Sequence, residues 1–150
     1  MSKPIVIVDI DGTISKVGKR IKYLQCEPKD WDSFYNDCFQ DEPIKEICDL
    51  VKNLSKEYYI VFCTGRRECV RTKTEFWIRK NLGDYFVDQF PILMRPNGDK
   101  RHDTILKPEM ISRYGIRPNM VSFVLEDRDL MVAKWRELGL ICLQVAEGDF

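Results

Sequence analysis

The amino-acid sequence predicts an α/β fold, a doubly wound parallel sheet with a small cap insertion after the first strand. Three observations carry this. Short apolar runs rich in β-branched and aromatic residues alternate with segments of helical periodicity. Those runs lack the polar alternation of a half-exposed strand, as strands covered on both faces do. The 150-residue chain is the size of one compact domain, spanning 1–150, which can bury roughly 70% of its unfolded surface.

The elements follow in order. Ile5-Val6-Ile7-Val8 is β-branched throughout and reads as a buried strand. Residues 15–42 are irregular, polar and aromatic (Tyr23, Trp31, Phe34, Tyr35) and read as an insertion. Asp41-Glu42-Pro43 opens a helix, with acid before a first-turn proline, and Ile44, Ile47, Leu50, Val51 and Leu54 give its inner face. Tyr58 to Cys63 is a second strand, and residues 67–82 a helix with Val70, Phe76 or Trp77, Ile78 and Leu82 turned inward. Phe90 to Met94 is a short strand, and Leu106 to Tyr114 a helix stopped at Gly115. Met120 to Leu125, Asp129 to Leu138 and Leu140 to Val145 complete the pattern as strand, helix and strand.

Composition narrows the function classes. With 24 Lys plus Arg against 24 Asp plus Glu, no global field announces a nucleic-acid or membrane partner. Attraction must be local. No apolar run is long enough to span a bilayer, so no membrane role is expected. Six cysteines without a C-x-x-C pair, and no leader pattern, point to reduced thiols in a cytoplasm. A single histidine, His102, argues against zinc and reads as a loop residue. Gly12 to Lys19 resembles a phosphate-binding loop, but its glycines are spaced by five residues and arginine follows the lysine. That reading is rejected.

In a doubly wound sheet, ligands sit at the carboxyl ends of the strands. There the sequence places Asp9-Ile10-Asp11-Gly12-Thr13, then Thr64-Gly65-Arg66, then Glu126-Asp127-Arg128, with Lys107 on a helix between the last two. Carboxylates, a hydroxyl, a lysine and arginines gathered at one edge suit a magnesium ion and a phosphate. Asp9 and Asp127 can each offer Mg²⁺ an oxygen, and Asp9 can attack phosphorus to form an aspartyl-phosphate. Asp11 can protonate the departing oxygen and then take a proton from water. Gly12 allows a tight turn, Thr64 can donate a hydrogen bond, and Lys107 offsets charge growing in the transition state.

As a set, these motifs resemble the four motifs of the haloacid dehalogenase (HAD) superfamily, whose core is Rossmann-like. More closely, the chain resembles the 3′-phosphatase domain of phage polynucleotide kinase–phosphatase. That match also includes Leu93-Met94-Arg95 through Gly98-Asp99, Arg101, Asp103 and Lys107, then Met131 to Arg136 and the tail from Gln144 to Phe150. The resemblance implies Asp9 as nucleophile, Asp11 as general acid and base, and Mg²⁺ on Asp9, the Asp11 carbonyl and Asp127. It implies phosphate held by Thr64, Gly65, Arg66 and Lys107, and a substrate site shaped by Arg95, Arg101, Asp103 and Arg128. Asp103 reads equally as a helix cap. Glu126 stands where the phage enzyme has aspartate, which leaves it an outer-shell place at most. The kinase half is absent, so a separate kinase or ligase is the expected partner.

The expected activity is removal of a terminal 3′-phosphate from DNA or RNA; a nucleotidase for free mononucleotides and a non-catalytic phosphate-end binder are the competing readings. Three charge runs bear on this. Residues 16–22 hold four cations and no acid, residues 64–107 a net +4, and residues 27–57 a net −5. The first two are either solvated faces or a funnel for a phosphodiester strand. A short cap leaves room for a polymer end, and its aromatics either stack on a terminal base or pack the cap onto the sheet, with at least two of them expected to pack.

Overall fold

The computed structural model describes residues 2–150. Five parallel strands form one sheet: β1 (Ile5–Val8), β2 (Tyr59–Arg67), β3 (Ile92–Arg95), β4 (Val121–Glu126) and β5 (Cys142–Gln144), in the order β3-β2-β1-β4-β5. The chain winds outward from β1 to β3, then jumps back to lay β4 beside β1. The switch point between β1 and β4 is where such sheets bind ligands.

Period-two alternation explains how one sheet feeds two cores. Val6, Val8, Ile60, Phe62 and Leu125 face one side and meet Cys48 and Val51 of α2 (Lys45–Leu54) and Trp77 and Ile78 of α3 (Arg71–Asn81). Phe86 of α4 (Asp84–Gln89) joins them. Ile5, Ile7, Val61, Cys63 and Val124 face the other side, against Ile111 of α5 (Asp103–Arg113) and Met131, Val132 and Trp135 of α6 (Asp129–Glu137). Truncating a central member such as Phe62 to Ala should cost about 3–5 kcal/mol.

The insertion at 15–42 is less irregular than its composition suggests. It carries 3₁₀ turns at Gly18–Leu24 and Asp37–Gln40 around a short helix, α1 (Trp31–Asn36). Phe34 is buried and Tyr35 packs against the core, so those two aromatics do pack. The helix expected from Asp41-Glu42-Pro43 starts only at Lys45. Asp41 is drawn away by Ser15, whose hydroxyl donates to it at 2.5 Å, and by Arg20 at 2.6 Å. Within α2, Leu50 is exposed, and Cys48 and Val51 take the core. Trp77, not Phe76, turns inward from α3, which begins after a 3₁₀ turn at Glu68–Val70 rather than at residue 67. α4 had no counterpart in the sequence reading; Gly83, at φ +116°, breaks the chain away from α3 and starts it. α5 begins three residues earlier than its apolar periodicity indicates, with His102 as its cap: the His102 ring accepts the Thr104 N–H at 3.2 Å. Asp103 is therefore freed from capping.

Among the described residues, no helix is long and apolar enough to cross a membrane. All six cysteines are free.

Candidate active site

Asp9 follows β1 directly and is tied to β4 by its N–H, which donates to the Leu125 carbonyl at 3.1 Å. Asp127 follows β4. The register of two neighbouring parallel strands thus sets these carboxylates side by side. Thr13 links them, its hydroxyl lying 2.8 Å from Asp9 Oδ2 and 3.4 Å from Asp127 Oδ1. Lys107 reaches in from α5, with Nζ 2.7 Å from Asp9 Oδ1 and 3.0 Å from Glu126 Oε2. Glu126 also accepts the Asp127 N–H at 3.2 Å. All four charged side chains are buried.

The electrostatics follow from that crowding. Burial and the neighbouring Glu126 charge push the Asp9 carboxyl well above the usual range, against the pull of Lys107. Burial pushes Asp127 up to about 6. Burial opposes the charge on Lys107 too, but Asp9 and Glu126 more than reverse it and hold the ammonium. One lysine serves three carboxylates whose oxygens lie within 4.8 Å of one another. Such a donor set is short of positive charge, and all its ligand atoms are oxygen. It fits a hard divalent cation.

Gly12 makes the arrangement possible. Its φ of +82° suits glycine, and a Cβ there would stand 2.0 Å from Asp127 Oδ2. Gly12→Ala is accordingly expected to lower both melting temperature and turnover. Scanning calorimetry with phosphate-release kinetics checks this, and an unchanged variant would contradict the geometry. Gly65 stands likewise against Asp103, whose carboxylate would lie 2.7 Å from an added Cβ.

Asp11 sits in a different environment. Its carboxylate is only partly buried, yet Arg66 Nη2 and Arg20 Nη2 each lie 2.7 Å from Oδ1. Burial works against its charge, but the two guanidiniums win and bring it down to about 2. Arg20 and Arg66 also share the buried Asp41, at 2.6 and 3.3 Å, and Arg20 donates to the Phe34 carbonyl at 2.8 Å. The insertion is therefore tied to the sheet through a buried network of two arginines and two aspartates.

A cavity of about 780 Å³ opens over these groups. Asp9, Asp11, Thr64, Gly65, Arg95, Arg101, Asp103, Lys107, Glu126, Asp127 and Arg128 all line it, so nearly every residue singled out from the sequence converges on one place. Thr64 accepts the Arg66 N–H at 3.1 Å, leaving its own hydrogen free to donate. Arg95 pairs with Asp103 and donates to the Gly65 carbonyl at 2.9 Å. Arg128 lies 3.3 Å from Asp103 and 2.6 Å from the Phe150 carbonyl. Arg101 is held by Asp99 and Glu109. The tail braces the Asp127 turn: Gly148 accepts the Asp129 N–H, and Gln144 donates to the Asp127 carbonyl at 2.9 Å.

Arg66 is the exception. Its guanidinium is fully buried in the Asp11–Asp41 network and does not line the cavity, so it holds aspartate where the sequence suggested phosphate. Arg67 lines the cavity instead. The cationic run at 16–22 also falls outside it: Arg20 is buried, and Lys19 pairs with Glu42. Sequence reasoning missed Arg20 and Asp41, partners 21 residues apart with no local signal. Cys63 is buried, and burial pushes its thiol up to about 12, away from the thiolate a reactive cysteine needs.

Comparison with known proteins is consistent with this geometry. The family described as the polynucleotide kinase PNKP phosphatase domain matches residues 3–150. The chain is 30% identical over 138 residues to the "Putative bifunctional polynucleotide kinase/RNA ligase" of Autographa californica nuclear polyhedrosis virus, covering 90% of this chain and 18% of that protein. It superposes on a chain of the Pnkp1/Rnl/Hen1 RNA repair complex with a TM-score of 0.81 and 32% identity, over 99% of this chain and 44% of that one. CbbY from Rhodobacter sphaeroides, solved with phosphate, shares the fold at a TM-score of 0.65 and 12% identity, over 99% and 87% of the two chains. The chain thus spans less than half the length of the first two relatives.

Proposed function

The chain belongs to the family of polynucleotide kinase phosphatase domains and is a phosphatase, and from that premise we propose that it removes the terminal 3′-phosphate of DNA or RNA through an aspartyl-phosphate on Asp9. One observation carries the reading: Asp9 and Asp127 stand together at the β1–β4 switch point, bridged by Thr13 and countered by Lys107.

In the first step an Asp9 oxygen bonds to phosphorus as the bond from phosphorus to O3′ breaks, and O3′ takes the proton of Asp11. In the second, water attacks phosphorus, Asp11 takes its proton, and Asp9 and inorganic phosphate are released. The ion pairs of Asp11 favour its charged form, which suits the second step; an incoming phosphate, as a like charge, raises its proton affinity for the first. Lys107 stays beside Asp9 and offsets charge on the transferring group, while Thr64 donates to a phosphate oxygen. Arg95, Arg101, Arg128 and Asp103 shape the approach of the nucleotide. Mg²⁺, held by Asp9, Asp127 and the Asp11 carbonyl, would supply charge neutralisation between nucleophile and phosphate. Glu126 orients Lys107 and completes the acidic set.

We further read residues 15–42 as a cap that leaves the cavity open to a polymer end. A kinase or ligase completes the repair of that end. A substrate panel tests the assignment: 3′-phosphorylated oligonucleotides should be turned over far faster than 5′-phosphorylated ones or mononucleotides. Preference for mononucleotides would replace it with a nucleotidase, and no phosphate release in Mg²⁺ would leave a binder.

The metal site has its own readout. Saturating Mg²⁺ at about 100 times its Kd should stabilise the fold by about 2.7 kcal/mol, or roughly 5–10 °C in Tm for a domain of this size. A Tm identical in Mg²⁺ and in chelator would remove the metal from the site.

A further inference from the structure

We propose that the indole of Trp31 is a stacking shelf for the base of the terminal nucleotide, so that the enzyme selects phosphorylated ends that carry a base over ends that lack one. The inference deepens the reading of the site as one for polynucleotide ends and rests on it.

Trp31 opens α1 and lines the same cavity as Asp9 and Lys107, yet it keeps 40% of its surface exposed while Phe34, one turn on, is buried. A large apolar ring left partly open in a cavity wall is unfinished packing. The ring is also flanked by aromatics. Phe34 meets it edge-on at 5.8 Å between centroids, and Tyr35 lies nearly parallel, at 6.0 Å and 24°. Asp30 fixes the helix start beneath it by accepting the Ser33 N–H at 3.0 Å. Phe34 and Tyr35 already pack the cap onto the sheet, so the cap does not need Trp31 for that.

Charge around the ring is mixed: Asp30 and Asp32 line the cavity too, and Asp32 lies 2.8 Å from Arg67, but two cations stand beside the aromatic rings and an incoming phosphodiester can compete for them. Lys29 Nζ stands 6.0 Å from the Trp31 ring, and the Arg67 guanidinium 5.0 Å from the Tyr35 ring. Both cations line the cavity and can meet phosphodiester oxygens while the base lies on the aromatic face. Every base has a π-face, so such a shelf discriminates base from no base, and little between bases.

The test uses two 3′-phosphorylated oligonucleotides that differ only in whether the last residue carries a base or is abasic. Their kcat/KM ratio is measured for wild type, Trp31→Ala and Trp31→Phe. Stacking predicts a ratio on the order of tenfold in favour of the base, expressed mainly in KM, collapsing towards one in Trp31→Ala and largely kept in Trp31→Phe. A wild-type ratio near one overturns the shelf. So does a Trp31→Ala variant that loses activity equally on both ends, which would make the residue a packing element of the cap. If neither oligonucleotide is turned over while p-nitrophenyl phosphate is, the polynucleotide reading itself has failed and the shelf with it.

Discussion

Asp9→Asn is expected to lower kcat by roughly 10⁴- to 10⁶-fold, the scale seen when a covalent catalyst loses its nucleophile, without lowering Tm in the absence of metal. The first half follows because an amide oxygen does not form the acyl-phosphate bond. The second follows from the crowding of Asp9 with Asp127 and Glu126 around one lysine. Burial and repulsion already push the Asp9 carboxyl towards its neutral form, so a neutral isostere relieves a cost. Lys107 keeps Glu126 as a partner at 3.0 Å. Phosphate release and a chelator-containing melt decide both halves. Residual turnover within a hundredfold of wild type would take the nucleophile elsewhere.

Arg66→Ala should damage the fold as severely as a large core truncation, at about 3–5 kcal/mol, the usual cost of breaking a buried charge pair from one side. For a domain of this size that is a Tm loss of roughly 6–20 °C. Two carboxylates, Asp11 and Asp41, would be left to share Arg20 alone, and Thr74 would lose the guanidinium 3.2 Å from its hydroxyl. Turnover should fall as well, because Asp11 would lose the fork that aims it. Had Arg66 been a phosphate clamp, its loss would raise KM and spare stability. A melt and a Michaelis curve on one preparation separate the two. Arg66→Lys restores the charge but not the planar two-pronged geometry, so only part of the loss should return.

The strands were legible because parallel strands buried on both faces must be apolar without interruption, as β1 is throughout and β2 is from Tyr59 to Cys63. The polar residues at their ends were legible for the complementary reason: nothing in a buried strand accounts for Asp9, Thr64 or Asp127. What the sequence hid was long-range pairing. Arg20 looked like one of four solvated cations and Asp41 like a helix start, because neither burial nor a partner 21 residues away leaves a local trace. The same blindness misassigned Arg66, since an arginine after a strand reads alike whether it faces phosphate or aspartate. His102 took the capping place expected of Asp103, because a ring nitrogen accepts an N–H as a carboxylate does.

The bond between cap and sheet also bears on how turnover proceeds. Arg20 and Arg66, themselves buried, fasten the inserted segment to the loop after β1, so lifting it would break several ion pairs at once. A segment so fastened is expected to stay in place during turnover, so burst kinetics should contain no slow isomerisation before chemistry.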